Sequence, residues 1–233
     1  MKRPVVAIDG PAGAGKSTVT RLVAATLGYV MVDTGALYRA IALAAKQAGA
    51  SFDDEAAVGV LAERLASERA IELGSDENGG TRVLLAGSDV SQAIRTLEMG
   101  QGASKVSAQP RVRSALLAMQ RDAGRNGGVV LEGRDIGTVV FPEAEAKFFL
   151  TASVDVRARR RFDELALKGT DADLDEVKRE VEERDRRDST RPIAPLRRAD
   201  DAMVVDSSNL EVSEVVEAIV ARVRAIEAAL NAP

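Results

Sequence analysis

The chain has 233 residues, of which 45% are hydrophobic, and a formal net charge of −4. Its length supports one well-buried core with one or two small additional units, and its negative charge argues against a general binder of nucleic acids or acidic membranes. Cysteine and histidine are absent, which excludes disulfides, thiol chemistry and the commonest general base, so any catalysis must use carboxylates, lysine, arginine and metal.

The first predicted element is a strand at residues 5–8, followed by a glycine-rich loop at 10–18 and a helix at 17–27. The loop reads GPAGAGKST and matches the phosphate-binding pattern G-x-x-x-x-G-K-[ST]. In that pattern backbone amides hold phosphates, the lysine reaches the β and γ groups, and the hydroxyl lies on Mg²⁺. A nucleoside triphosphate is therefore the predicted ligand, with a simple glycine turn as the alternative. The residues assigned to this ligand are Gly10, Pro11, Ala12, Gly13, Ala14, Gly15, Lys16, Ser17 and Thr18.

Four further apolar runs have the composition of buried parallel strands, at residues 29–32, 129–131, 147–150 and 203–205. Because helical segments separate these runs, the chain is predicted to form an α/β fold with a doubly wound parallel sheet. Four of the five strands are followed by an acidic residue, namely Asp9, Asp33, Glu132 and Asp206. We expect these residues to place polar chemistry along one edge of the sheet, where open α/β folds bind ligands.

The segment DTGALYR, residues 33–39, follows the second predicted strand and begins a helix. Asp33 and Thr34 are helix-capping residue types, and Tyr38 and Arg39 follow one turn later. An anion could meet a helix N-terminus, a hydroxyl and a guanidinium together at this position. The alternative is a simple helix cap with a surface arginine.

Residues 69–87 do not fit the alternation of strands and helices. They read as two strands joined by a turn rich in Asn and Gly, which predicts a β-hairpin. The hairpin lies in an insertion between the second and third core strands, and we expect this insertion to form a small domain on the substrate side.

The sequence EGRD follows the third core strand and begins with Glu132. A carboxylate at the end of an apolar strand, beside a phosphate loop, is where Mg²⁺ or its waters would be held. We therefore predict Ser17 and Glu132 as metal ligands. The alternative for Glu132 is a buried structural carboxylate that is bonded to the loop.

Residues 155–198 are dense in charge of both signs. Within them, an apolar stripe at Leu174, Val177 and Val181 steps along a helix by three and four residues. The same steps continue to three charged residues, Arg184, Asp188 and Arg191. These three side chains are therefore predicted to point inward, toward the site.

Other arginines of the same segment are predicted to lie on a solvated helix face, at positions 159, 179 and 186. Pro192 ends the predicted helix and leaves Arg191 at its tip, beside flexible chain. This arrangement predicts a mobile lid whose arginines close over phosphates and exclude water.

Together these motifs resemble the bacterial cytidylate kinase family of nucleoside monophosphate kinases. The resemblance extends over nearly the whole chain, through IDGPAGAGKST, DTGALYRA, IRT at 94–96, QPRVR, EGRDIGTVVFPEA and ERDRRDSTR. It implies ATP as phosphoryl donor, Mg²⁺, and CMP or dCMP as acceptor. It also implies a P-loop kinase core with a five-stranded parallel sheet and helices on both faces, formed by residues 1–50, 100–154 and 199–233. The monophosphate-binding insert would be residues 51–99, and the short Arg-rich helical lid residues 155–198.

The resemblance also implies roles for individual side chains. The acceptor phosphate would be held by Thr34, Arg39, Arg134 and Arg191, and the sugar hydroxyls by Arg184 and Asp188. The base would be read by Ser104, Arg113 and Asp135, with Tyr38 packed near the acceptor. Arg157 and Arg161 would close over ATP. For Asp135 the alternative is a pair with Arg134 or Arg113 that shapes the loop.

The catalytic residues are predicted to be Lys16, Arg39, Arg134 and Arg191. Lys16 ranks first, and we expect it to be an exposed loop lysine that packs against little. The acceptor phosphate, with a second pKa of about 6, is already anionic at neutral pH, so no base is needed. The competing interpretations are a related kinase acting on AMP, UMP or a sugar acid, and a GTPase-like switch.

The expected setting is a cytoplasmic monomer whose partners are small nucleotides, with no nucleic acid and no membrane. No apolar stretch reaches membrane-spanning length, and the N-terminus becomes polar too soon for a signal peptide.

Overall fold

The computed structural model describes residues 1–76, 80–167 and 169–232. Its main sheet has five parallel strands in the order β2-β6-β1-β7-β8. The strands are β1 Val5–Asp9, β2 Val30–Asp33, β6 Val129–Gly133, β7 Ala146–Thr151 and β8 Met203–Asp206. All five strands were predicted from their apolar composition, and the α/β fold class is confirmed.

Helices cover both faces of this sheet. Val6 and Ile8 of β1 point to one face, where they pack with α1 Lys16–Leu27 and α8 Val212–Leu230. Ala7 points to the other face, because successive side chains of a strand alternate. The C-terminal end of α8 lies beside the start of β1: Asn231 accepts from the Lys2 amide at 2.8 Å and donates to the Lys2 carbonyl at 2.8 Å.

The predicted hairpin is confirmed as β3 Ile71–Ser75 paired antiparallel with β4 Thr81–Leu85. Residues 77–79 of its predicted turn lie outside the described residues. A two-residue strand, β5 Ser88–Asp89, adds a third member that the sequence did not indicate. The hairpin packs in one apolar cluster with four helices. These are α2 Thr34–Gln47, α3 Glu55–Ser67, α4 Leu97–Val106 and α5 Pro110–Gly124.

Two helices form the charged segment, α6 Val154–Leu167 and α7 Leu174–Thr190. Helix α7 ends directly before Arg191 and Pro192, as predicted. The predicted register is also confirmed. Val177, Val181, Asp188 and Arg191 are buried and Arg184 is half-buried, whereas Arg159, Arg179 and Arg186 are exposed.

A π-helical segment, Ile136–Val140, follows β6 and was not predicted. The Asp9 carboxylate holds its first turn by accepting from the amides of Ile136 at 2.8 Å and Gly137 at 2.7 Å. Arg121 of α5 donates to the carbonyls of the last two residues. These contacts anchor the π-helical segment beside the end of β1. They therefore also fix the position of the EGRD motif, which directly precedes the segment.

No helix among the described residues combines the length and apolar composition needed to cross a bilayer.

Candidate active site

The glycine-rich loop joins β1 to α1, and its glycines have positive φ values. Gly10 has a φ of 152°, and a Cβ at this position would overlap the carbonyl oxygen of Leu150 in β7. Gly15 has a φ of 89°, precedes the first residue of α1, and has no heavy atom within 4 Å of an ideal Cβ. Among the described residues no side chain caps this helix N-terminus, so its first amides have no side-chain acceptor. That arrangement suits a phosphate.

Lys16 is buried, with 6% of its surface exposed, so the prediction of an exposed loop lysine was wrong. Its Nζ donates to the carbonyls of Gly10 at 2.8 Å and Pro11 at 2.7 Å. The reason is geometric: side chains on a helix lean toward its N-terminus, and Lys16 begins α1, so it folds back over the loop. Burial, and next the nearby Arg134, lower the pKa of Lys16.

Ser17 and Glu132 meet beside the loop. Ser17 Oγ donates to Glu132 Oε2 at 3.0 Å, while Glu132 Oε1 is buried and has no hydrogen-bond partner among the described residues. Thr34 Oγ1 donates to the Glu132 carbonyl at 2.7 Å. Burial, followed by the neighbouring Asp33 carboxylate, raises the pKa of Glu132 to about 7. The bond to the loop, which the structural alternative for Glu132 named, is present.

The same pair fits a magnesium ion. A hydroxyl and a carboxylate supply the hard oxygen donors that Mg²⁺ prefers, and the unpartnered Oε1 of Glu132 is a free acceptor. Within the described part of the chain no group of three or more acidic side chains is arranged to hold a metal.

Asp33 and Arg39 form the start of α2. Asp33 Oδ1 accepts from the Ala36 amide at 3.1 Å and caps the helix, while Oδ2 pairs with Arg39 at 3.0 Å. Burial opposes ionisation of Asp33, but the Arg39 guanidinium keeps its pKa low. The helix cap is confirmed, and Arg39 is a partly buried, paired residue rather than a free surface arginine.

Ion pairs bring together residues from three parts of the chain. Arg134, after β6, pairs with Asp188 of α7 at 2.9 Å. Asp135 pairs with Arg113 of α5 and, at 3.3 Å, with Arg191. Asp135 thus has one of the partners that the structural alternative named, Arg113, and not the other, Arg134. Arg191, which was predicted at the tip of the helix, is buried and also donates to the Ala194 carbonyl at 2.6 Å.

Several polar groups in this region lack partners or lie over aromatic surface. Ser104 Oγ and Arg184 Nε are buried and find no hydrogen-bond partner in the part of the chain that the structure describes. Burial, and next Arg134, lower the pKa of Arg184 to about 10. The Arg113 guanidinium lies 5.6 Å from the centroid of the buried Tyr38 ring. Ser104 and Arg184 therefore keep hydrogen-bonding capacity that the described residues do not use.

The two arginines that were predicted to close over ATP each pair with an acidic residue of α6 or α7. Arg161 pairs with Glu164 of its own helix at 2.7 Å. Arg157 is buried and pairs with Asp185 of α7 at 2.6 Å. The sequence reading did not single out Asp185, although it lies four residues after Val181 and so near the inward face of α7.

The family is decided by comparison with known sequences. The cytidylate kinase profile matches residues 6–225 of the chain. The chain belongs to the cytidylate kinase family.

Two relatives in this cytidylate kinase family show how far the similarity extends. A cytidylate kinase of Geobacter sp. (strain M21) is 52% identical over 214 residues, covering 91% of this chain and 89% of the relative. A cytidylate kinase of Geobacter sulfurreducens is 50% identical over 226 residues, covering 97% and 94%. Among solved structures, an uncharacterized protein from Eubacterium ventriosum ATCC 27560 has a TM-score of 0.54 at 10% identity. That match covers 96% of this chain and 99% of that chain, and it shows a shared fold alone.

In this cytidylate kinase family member, Glu132→Gln should make the protein more stable than the parent, and the difference should grow as the pH rises. The raised pKa of about 7 means that the neutral carboxyl favours folding, and this contribution is lost as the pH rises through 7. From pH 5 to pH 8, the difference in free energy of unfolding between the variant and the parent should therefore change by up to about 3 kcal/mol in favour of the variant. Urea unfolding without Mg²⁺ or nucleotide measures this difference. Glu143→Gln, at an exposed position, is the control, and a difference independent of pH would contradict the assignment.

Proposed function

We propose that this protein is a cytidylate kinase that transfers the γ-phosphoryl group of ATP to CMP and dCMP. The observation that carries the proposal is a second cationic site beside the phosphate loop. Arginines from α2, the EGRD motif and the end of α7 converge there, each paired with an aspartate. A hydrolase or switch protein would not need a second site for an anion.

On the donor side, residues 10–18 would hold the triphosphate, with Lys16 moving from loop carbonyls to the β and γ phosphates. Ser17 and Glu132 would hold Mg²⁺, which supplies positive charge that neutralises the phosphates. Arg161, and Arg157 through the loop that it contacts, would complete this side.

On the acceptor side, the arginines would exchange their aspartate partners for the acceptor phosphate. The phosphate ligands in this proposal are Thr34, Arg39, Arg134 and Arg191, and the sugar ligands are Arg184 and Asp188. The base would meet Ser104, Arg113 and Asp135, with Tyr38 packed below. The unpartnered hydroxyl of Ser104 supports this assignment, because buried polar atoms without partners are rare in folded proteins.

The reaction needs alignment more than proton transfer. The acceptor oxygen is an anion at neutral pH, so the protein must bring two negatively charged groups together and neutralise their repulsion. Lys16, Arg39, Arg134 and Arg191 would supply that charge. We further propose that residues 51–99 act as the acceptor-side insert and residues 155–198 as the lid on a core of residues 1–50, 100–154 and 199–233, in a cytoplasmic monomer.

A coupled assay of ADP release tests this function. With ATP and Mg²⁺, CMP and dCMP should be phosphorylated far better than AMP, GMP or UMP. Equal rates across the panel would contradict the cytidylate assignment and leave a kinase of broader range. ATP hydrolysis that does not depend on any monophosphate would instead favour a switch-like ATPase.

Asp135→Asn should narrow the preference for CMP over UMP. Asp135 can accept from the cytosine amino group, whereas the uracil carbonyl would face the same carboxylate. The kcat/KM for UMP should therefore be roughly ten- to a few-hundredfold lower than that for CMP. An asparagine can donate to that carbonyl. Activity on both substrates should fall, since Arg113 and Arg191 lose their carboxylate, but CMP should lose more. The ratio of kcat/KM values measures the effect, and an unchanged ratio would limit Asp135 to shaping the loop.

A further inference from the structure

Arg157 of α6 connects three parts of the molecule. Its Nη1 donates to the Ala12 carbonyl in the phosphate loop at 3.1 Å, and its Nε donates to the Ala152 carbonyl after β7 at 2.9 Å. Its Nη2 lies 2.6 Å from Asp185 Oδ2 in α7. Only 5% of the Arg157 side chain is exposed, so all three nitrogen atoms are used in a dry environment.

The loop also packs directly on the backbone of α6. An ideal Cβ on Gly13 would lie 3.1 Å from Arg157 Cβ and 3.2 Å from the Arg157 carbonyl oxygen. The centre of the loop therefore has little freedom to shift unless α6 shifts with it. Arg157 fixes the loop by both a hydrogen bond and close packing.

Helix α7 links this contact to the acceptor side. Asp185 and Asp188 are three residues apart, so they are neighbours on the surface of the helix. Asp185 reaches Arg157, while Asp188 pairs with Arg134 at 2.9 Å. Contacts thus run from Ala12 through Arg157 to Asp185, and helix α7 itself carries the connection from Asp185 to the Asp188–Arg134 pair.

We propose that Arg157 and Asp185 are positioning residues that couple the donor loop to the acceptor-binding end of α7, an inference that rests on the proposed function. When the acceptor binds, Arg134 moves from Asp188 to the acceptor phosphate and Asp188 binds the sugar. The acceptor then holds α7 in place through Asp188. Through Asp185 and Arg157, a fixed α7 holds the Ala12 carbonyl and the loop in the conformation that binds the triphosphate. Each nucleotide therefore strengthens the binding of the other.

The test compares nucleotide affinities in the parent, Asp185→Ala and Asp185→Asn. The affinity for a non-hydrolysable ATP analogue with Mg²⁺ is measured by calorimetry, with and without saturating CMP. CMP should raise the parent's affinity roughly fivefold or more, which is the lower range of allosteric coupling. Asp185→Ala should bring this factor close to one and lower kcat more than it raises the KM for CMP. Asp185→Asn keeps a hydrogen-bond acceptor but removes the charge, so it should give an intermediate factor.

Asp155→Asn is the matched control. Asp155 pairs with Lys178 at 2.6 Å and also joins α6 to α7, but this pair is more exposed than the Arg157–Asp185 pair. The Asp155→Asn variant should therefore have the same coupling factor as the parent. Circular dichroism identifies which Asp185 variants fold, and an unchanged factor in a folded variant, or a parent factor of one, overturns the proposal. If the parent fails to phosphorylate CMP, the proposed function falls as well. If the parent phosphorylates CMP normally but the folded Asp185 variants keep the parent's coupling factor, only this inference is overturned.

Discussion

Lys16→Ala should lower the turnover number a hundredfold or more. Removal of one preorganised donor to developing charge costs roughly 2.7–4 kcal/mol of transition-state stabilisation. The buried position of Lys16 adds an effect on stability. Truncation leaves the carbonyls of Gly10 and Pro11 without their donor, so the free energy of unfolding should also fall, by about 1–3 kcal/mol. Steady-state kinetics and urea unfolding measure the two effects separately.

Lys46→Ala is the control for this variant, because Lys46 is an exposed lysine paired with Glu98 on the surface. Its turnover should stay close to that of the parent. If Lys16→Ala instead keeps the parent's turnover number and only raises the KM for ATP, the lysine binds the nucleotide without stabilising the transition state.

Arg191→Ala should damage both turnover and the affinity for CMP. Arg191 is buried at the end of α7, where it contacts Asp135 and the Ala194 carbonyl. The substitution removes a cation proposed to neutralise the acceptor phosphate and leaves Asp135 with one partner fewer. Loss of a buried charged partner costs about 2–5 kcal/mol, so kcat/KM for CMP should fall at least thirtyfold.

Arg186→Ala is the matched control on the same helix. Arg186 is exposed and pairs with Glu183 one turn earlier, an interaction worth well under about 1 kcal/mol. Its kinetics should resemble those of the parent. Similar losses in the two variants would mean that the inward orientation of Arg191 has no catalytic consequence.

The sequence predicted the features that depend on local periodicity and composition. Buried parallel strands read as short apolar runs, which located all five core strands. The apolar stripe through Val177 and Val181 continued to Asp188 and Arg191, and the fixed geometry of a helix makes such continuation reliable. The position of the loop between β1 and α1 could be predicted because the motif itself requires a strand before it and a helix after it.

The remaining features depend on contacts between distant parts of the chain. Asp9 holds the segment that begins at Ile136, and Arg157 meets Asp185, in each case through the packing of separate elements. No spacing rule selects the carboxylate that a given arginine will meet. Lys16 was placed wrongly because the direction of its side chain depends on the path of the loop as well as on its place in the motif. Strand β5 has two residues, too few for any alternation to be visible.

The paired hydrogen bonds between Lys2 and Asn231 bring the two ends of the described fold together. A short linker could join these ends without stretching either β1 or α8, which would close the chain into a ring. New ends could then be opened between Gly169 and Thr170, an exposed point in the connection between α6 and α7. Such a circular permutant would keep every strand intact while turning α6 and α7 into the two terminal helices, so we expect the same sheet to form with a different chain order.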